Sequence, residues 1–286
     1  MPAPASGAGF VFRPPSGIIE PTGGTAMADD PQAQSEERFG RFAREYVTSQ
    51  SHAQGADLAR LVALAQPQAH WEVLDVATGG GHTALAFAPH VRHVVASDLT
   101  ARMLQAAADF IATQNAPNIS LRQAMADDLP FQSSNFDAVT CRIAAHHFPD
   151  VPAFLRESAR VLKAGGLALV QDHVLPDDAT AATEVDGFEK LRDPSHHRAY
   201  NEAEWRAMFA VAGLVVEHAE IIVKRHAFRP WAERQGCPPE TLAELQARLP
   251  RFSAVARAWL DPQDWLAENA SFVNRHILIA ARKPAA

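Results

Sequence analysis

Cysteine is scarce in this 286-residue chain: Cys141 and Cys237 are the only two, and neither belongs to a CxxC or Cys/His ligand spacing. That excludes a disulfide framework and a zinc-finger type of site, and a reducing, cytoplasmic setting is expected. Long apolar runs are missing as well. The longest, Ala207 to Val216, stops at Glu217, well short of the ~20 residues a spanning helix needs, so no membrane span is expected. Positive charge is in deficit: 26 Lys and Arg against 33 Asp and Glu give a formal charge of -7, with no global positive field to hold a phosphate backbone. Nucleic acid is therefore not an expected partner. What is present is an ordinary globular composition, 47% hydrophobic and 21% charged, enough for a sizeable core without staples.

Residues 1–26 hold five prolines and five glycines, with Arg13 and Glu20 as the only charges. Such a segment cannot bury enough surface to offset the entropy of ordering it, and it has neither the apolar block of a secretory signal nor the arginines of a mitochondrial presequence. Residues 1–33 are expected to form a disordered leader. From Glu36, the spacing of Phe39, Phe42, Ala43, Tyr46 and Val47 predicts one helix, and Leu58, Leu61, Val62 and Ala65 a second. Together they make an N-terminal helical cover over 34–68.

The pattern then changes to short apolar runs, Trp71–Val76, Val94–Ser97, Ile119–Arg122, Phe136–Cys141 and Leu167–Gln171, separated by helical segments. Thr100 is placed to cap a helix to Asn115, and Asp150 another that ends at Gly165–Gly166. Asn201 with Glu204 reads as a capping box, followed by a strand near Leu214–Val223. The last strand is Phe272–Ala281. Strands alternating with helices imply βαβ units and a sheet covered on both faces. The predicted fold is α/β: a doubly wound, Rossmann-like, seven-stranded, mostly parallel sheet. Its core spans 69–223, residues 224–271 form a helical insertion acting as a lid or homodimer surface, and 272–286 supply the last strand and tail.

The first strand ends in VLDVATGGGHT. Gly79, Gly80 and Gly81 let the backbone turn sharply and approach a ligand closely. Asp98 ends the second strand, where a carboxylate can accept hydrogen bonds from both hydroxyls of a ribose. The loop lacks the G-x-G-x-x-G of a dinucleotide site, and Asp75 stands where a pyrophosphate would be repelled. An adenosine ligand with positive charge and no phosphate fits, and S-adenosylmethionine has that chemistry.

Four landmarks in order carry a resemblance over Trp71–Gly213: LDVATGGG, ASDLT, LPFQSSNFDAVTCRIAAHHFPD and RVLKAGG. The span resembles a class I S-adenosylmethionine-dependent methyltransferase, most similar to the ubiquinone/menaquinone-biosynthesis C-methyltransferases and their small-molecule relatives. The resemblance implies that Asp75, Ala77, Thr78 and the Gly79–Gly81 backbone receive the methionine end of the cofactor. It implies that Asp98 binds the ribose, with Leu99 and Met103 near the adenine, and that the carbonyls around Cys141 and Arg142 complete the methionine site. Relatives carry an Asp-Ala-Glu type of triplet before LPF; here Met125, Ala126 and Asp127 stand there, so the expectation is that the Met125 thioether packs on the ring and the Ala126 backbone with Asp127 or Asp128 reads the amino group. Ala77 replaces a frequent glycine. The implied reaction moves a methyl group to a small-molecule acceptor and releases S-adenosylhomocysteine; the alternative is a non-catalytic binding module of the same fold.

Methyl transfer needs alignment, exclusion of water and sometimes removal of a proton. His146 and His147 follow the fourth strand, and one of the two is expected to line the substrate site, the other reading being a packing role. Tyr46 and His52 on the cover, and His197 and Tyr200 after the fifth strand, are further substrate-site candidates, with core aromatic and solvated loop as their plainer roles. His173 after Asp172 is weaker still. No carboxylate or cysteine stands at a ligand spacing from the two HH pairs, so no metal site is expected.

Overall fold

The computed structural model describes residues 55–285. The leader, the first cover helix, Tyr46 and His52 lie outside the described residues. Helix α1 (Ala56–Ala65) leads into β1 (Glu72–Val76), α2 (His82–Phe87), β2 (His93–Asp98), α3 (Ala101–Thr113), β3 (Ile119–Gln123) and β4 (Phe136–Arg142). Then come α4 (Val151–Val161), β5 (Leu162–Leu175), α5 (Ala179–Arg192), the two-residue β6 (Tyr200–Asn201), α6 (Glu202–Val211) and β7 (Val215–Ala227). Helices α7 (Phe228–Glu233), α8 (Pro239–Arg248) and α9 (Ala254–Leu260) precede β8 (Ser271–Arg282).

The strand order is β3-β2-β1-β4-β5-β8-β7, with β6 paired to β5 off this path. β8 is antiparallel to both its neighbours, and the remaining pairs are parallel. Side chains alternate across the sheet as a pleated strand requires. Val73, Leu169 and Leu278 join one core layer with Leu61 and Phe87, while Leu74, Val170 and Ile277 join the opposite layer with Phe154, Trp205 and Phe209. Each such buried side chain contributes about 1.5–3 kcal/mol relative to exposure. A third cluster joins α5 to the late helices through Phe188, Trp231, Trp265 and Phe272, with Phe188 and Trp231 stacked at 5.4 Å.

The caps form as their side-chain chemistry dictates. Thr100 Oγ1 accepts from the Met103 N–H at 3.1 Å, Asp150 Oδ1 from Ala153 at 2.7 Å, and Asn201 with Glu204 closes a reciprocal box. Two expectations are corrected. Gly165–Gly166 do not end a helix: α4 stops at Val161, Leu162 is already extended, and both glycines lie in β5. A Cβ on Gly166 would meet the Lys163 carbonyl oxygen at 2.9 Å and that of Asp137 at 3.1 Å, so close passage of strands, not helix termination, requires glycine there. The strand expected near Leu214–Val223 runs on to Ala227, because β8 keeps pairing with it as far as Ala227↔Ser271.

The parallel strands bring their carboxyl ends to one edge. β1 has β2 on one side and β4 on the other, so the order reverses there, which is where ligands bind in open α/β sheets.

Candidate functional site

After β1 the chain enters the left-handed region at Ala77 (φ 52°), Gly79 (φ 54°) and Gly81 (φ 82°). The Asp75 carboxylate accepts from Thr78 Oγ1 at 2.6 Å and from Thr140 Oγ1 at 2.7 Å. The Thr78 N–H donates to the Ser97 carbonyl at 2.8 Å. These bonds tie the loop to β2 and β4. Gly81 is needed for packing, since a Cβ there would lie 2.9 Å from Ile111 Cδ1. Gly79 differs: a Cβ would find nothing within 4 Å, so its backbone is open toward a ligand.

Asp98 accepts from the Gly79 N–H at 3.0 Å and from the Thr100 N–H at 3.2 Å. Burial raises the Asp98 carboxyl to about 6, against the pull of those N–H groups. Asp75 rises to about 6 for the same first reason, opposed by the two threonine hydroxyls and Arg142.

These residues border a cleft of about 1150 Å³ counted with its open mouth. Ala77, Thr78, Gly79 and Gly80 form one wall, and Asp98 and Leu99 the next. Met103, Met125 and Ala126 supply apolar lining with Asp127 beside them, while Arg142, Ile143 and His147 line the β4 side. Asp75, Gly81 and Cys141 stand behind the lining rather than in it. Asp75 is turned to its two hydroxyls, Gly81 to α3, and the Cys141 side chain is buried in the core of the sheet.

A buried ionic cluster underlies this cleft. Arg142 donates to Asp57 Oδ2 at 3.1 Å and to Thr83 Oγ1 at 3.2 Å. Lys224 Nζ lies 2.6 Å from the same Asp57 oxygen, and Gln171 Nε2 donates to it at 2.7 Å. Burial would raise the Asp57 carboxyl, but the Lys224 and Gln171 hydrogen bonds and the two cations outweigh it and hold it at about 2.

Next to the cleft lies a second cavity, and Ile143 and His147 line both. Ile143 holds φ 55°, an unfavourable value for a β-branched residue, with its N–H donating to the Gln171 carbonyl at 2.7 Å. The second cavity is lined by imidazoles: His146, His147, His173, His196, His226 and His276, with Glu189, Arg192 and Lys224 among them. His146 Nδ1 lies 2.5 Å from Asp172 Oδ1, and the His146 N–H donates to Oδ2 of the same carboxylate at 3.0 Å. His147 Nδ1 donates to the Ser195 carbonyl at 2.9 Å. His196 Nε2 lies 2.7 Å from Asp186 Oδ1. Burial pushes His146, His173 and His276 well below the usual imidazole range, reinforced by neighbouring histidines.

The other expected residues separate. His146 lines only the second cavity, while Tyr200 packs on Trp205 at 5.7 Å and His197 serves through its backbone, its N–H donating to the His146 carbonyl at 2.8 Å; neither lines either cavity. Sequence reasoning passed over Asp57, Asp172, Glu189, Asn274 and His276. The signal for one group was present: Gln171-Asp172-His173 is a polar run inside an otherwise apolar strand. The expectation of no carboxylate near the HH pairs is overturned, since His146, Asp172 and His173 each offer an atom within 4.8 Å of the others.

Residues 74–170 match the family model described as Methyltransferase domain. The chain is 36% identical over 223 residues to the uncharacterized methyltransferase YcgJ of Bacillus subtilis (strain 168), covering 78% of this chain and 88% of that one. The crystal structure of YcgJ superposes with a TM-score of 0.77 at 35% identity, over 80% of this chain and 98% of that chain. A ubiquinone/menaquinone biosynthesis C-methyltransferase, UbiE of Bartonella tribocorum, is 37% identical over 112 residues, 37% of this chain and 43% of that protein. The stretch shared with UbiE is about the length of the first five strands and their connections. The glycine loop, the acidic end of β2, the doubly wound sheet and the likeness to YcgJ over 78% of this chain agree: the chain belongs to the class I S-adenosylmethionine-dependent methyltransferases.

Proposed function

We propose that the cleft at the ends of β1, β2 and β4 binds S-adenosylmethionine, and that the histidine-lined cavity beside it receives a small-molecule acceptor. The observation that carries this reading is the shared wall, Ile143 and His147, which puts the two cavities in contact. The donor set fits the cofactor. Asp98 offers a buried carboxylate to ribose hydroxyls, Gly79 an unobstructed backbone, and Met103 with Met125 an apolar end for a base. S-adenosylmethionine supplies a sulfonium-activated methyl group for in-line displacement.

Arg142, held by Asp57 and Thr83, fixes the end of β4 and presents its backbone to the amino-acid portion. His147 is the residue placed to take a proton from the acceptor: its Nδ1–H is engaged by the Ser195 carbonyl, which puts the ring lone pair on Nε2. His146, oriented by Asp172, stands behind it as a positioning group. The late helices contribute Trp231 and Arg234 to the chamber wall and so act as its cover. Among the described residues no helix is long and apolar enough to cross a membrane, and two free cysteines suit a reducing cytoplasm.

Calorimetry is expected to show binding of S-adenosylhomocysteine at micromolar levels. Asp98→Ala is expected to weaken it about 100-fold, as befits loss of a charged hydrogen-bond acceptor. Absence of binding by the unmodified protein overturns the assignment. Intact binding with no S-adenosylhomocysteine released across a broad acceptor set marks a binding module instead.

A further inference from the structure

Charge in the histidine chamber is unevenly placed, and the sheet register shows how. His173 on β5 stands opposite His276 on β8, and Lys224 on β7 stands opposite Asn274, which shares a face of β8 with His276 because it lies two residues away. All four line the chamber. Three adjacent strands therefore carry its wall from β5 to β7, a span of roughly 10 Å at the ordinary strand spacing. The β5 end adjoins His146 and His147, whereas Lys224 and His226 mark the β7 end. Among the described lining residues, Lys224, Arg192 and Arg234 are the cations and Glu189 and Asp193 the carboxylates.

Both carboxylates are engaged by the protein itself. Glu189 accepts from Asn274 Nδ2 at 2.9 Å and from Arg192 Nη1 at 3.5 Å, and Asp193 accepts from the Ser195 N–H and hydroxyl at 3.0 and 2.5 Å. The cations have donors beyond their partners. The Lys224 ammonium carries three N–H groups and meets Asp57 Oδ2 at 2.6 Å, an oxygen it shares with Arg142 and Gln171. Arg192 uses Nε for the Trp231 carbonyl at 3.2 Å and Nη1 for Glu189; its Nη2 takes part in neither bond, and the guanidinium is held over the Trp231 ring, 4.3 Å from the centroid. The Arg192 and Lys224 side chains are 11% and 21% exposed, so water screens their charge poorly. His226 registers the resulting field: burial first, then Arg234, Arg192 and Lys224, push its imidazole down to about 4.

Resting on the reading of this chamber as the acceptor site, we propose that the acceptor is a small polar carboxylate, its carboxylate group met by Lys224 and Arg192 toward the β7 end and its reacting atom turned to His147 at the wall shared with the cofactor cleft. Three cations against two carboxylates leave one positive charge over among the described lining residues, the complement of a carboxylate rather than of a phosphate dianion. Guanidinium and ammonium groups give charge-assisted hydrogen bonds to such a group, about twice as strong as neutral ones. Ile143 and Trp231 are the apolar side chains among those lining residues, so a long hydrocarbon tail finds no matching surface there.

The test titrates the full chain by calorimetry, with and without S-adenosylhomocysteine, using matched pairs of small hydroxy- and amino-carboxylates and their neutral carboxamides, both aromatic and aliphatic. At least one carboxylate is expected to bind below millimolar, and its carboxamide at least tenfold more weakly. Lys224→Met and Arg192→Gln are each expected to weaken that carboxylate about 10- to 100-fold, as loss of a charge-assisted hydrogen bond does, and to leave the carboxamide within about threefold. S-adenosylhomocysteine affinity guards against misfolding: in Lys224→Met it is expected to stay within about threefold, because Asp57 retains Arg142 and Gln171. Formation of S-adenosylhomocysteine from neutral acceptors with no preference for carboxylates leaves the methyltransferase reading standing and overturns this one. Binding of none of the carboxylates, tighter binding of phosphate monoesters than of every carboxylate, or a carboxylate preference that survives in both variants overturns it as well.

Discussion

The two cavities share a wall but are built in different ways. The cofactor cleft takes its decisive groups from short stretches at the ends of β1 and β2, and offers one buried carboxylate, an open glycine backbone and two methionines. The histidine chamber collects side chains from β5, α5, β7, β8 and the late helices, and nearly every polar group in it is held by another. A site made from one βα turn is reproduced wherever that turn is reproduced. A site made from many distant segments changes with any of them, which fits a common cofactor half joined to a specific acceptor half.

Three measurements sharpen that contrast, beginning with the largest effect. His147→Gln stands at the shared wall and keeps the residue polar. Turnover is expected to fall about 100-fold or more, the usual contribution of a positioned proton acceptor, while S-adenosylhomocysteine affinity by calorimetry stays within about threefold. An equal loss in both quantities would make His147 part of the cofactor cleft and blur the division.

The second measurement is pH dependence. Asp98 is raised to about 6 by burial, and hydrogen bonds from a ribose favour its ionised form. Cofactor affinity is therefore expected to be flat above pH 7 and to fall about tenfold per unit below 6. Stability of the unliganded protein runs the other way. Asp75 and Asp98 bind protons more tightly folded than unfolded between their ordinary value and about 6, so stability falls as pH rises through that window. Asp98→Asn is thus expected to raise the unliganded Tm at pH 7 by several degrees while abolishing the affinity change near pH 6. An unchanged profile in that variant would move the titration to another group.

The smallest effect belongs to Tyr200. It packs on Trp205 away from both cavities, so Tyr200→Phe is expected to change turnover less than about twofold, with Tm shifted by about 1 kcal/mol equivalent at most. A large loss of turnover would place it in the acceptor chamber after all.

How far the sequence could be read follows from the range of the interactions involved. Thr100, Asp150 and Asn201 were legible as caps because a cap bonds to a backbone N–H two or three residues away. The strands were legible because each carries its own apolar run, and their alternation with helices implied the parallel sheet. Gly165–Gly166 misled because a glycine pair at a helix end looks the same as one needed for strand passage, and only the neighbouring Lys163 and Asp137 carbonyls separate the two. Asp75 was legible as a residue of the loop, but its engagement by Thr78 and Thr140 depends on β4, 65 residues away.

The sequence by itself determined the βαβ order, the caps, the glycine turn and the acidic end of β2, all set by contacts within one turn or one strand. Tertiary structure decided what those pieces face. It brought Asp57 to Arg142 and Lys224, set His173 opposite His276 through the β5–β8 register, and gathered His146, Asp172 and His196 from three segments. No local pattern specifies such a meeting, because a side chain's partners across a sheet follow from strand order and register rather than from its neighbours in the chain.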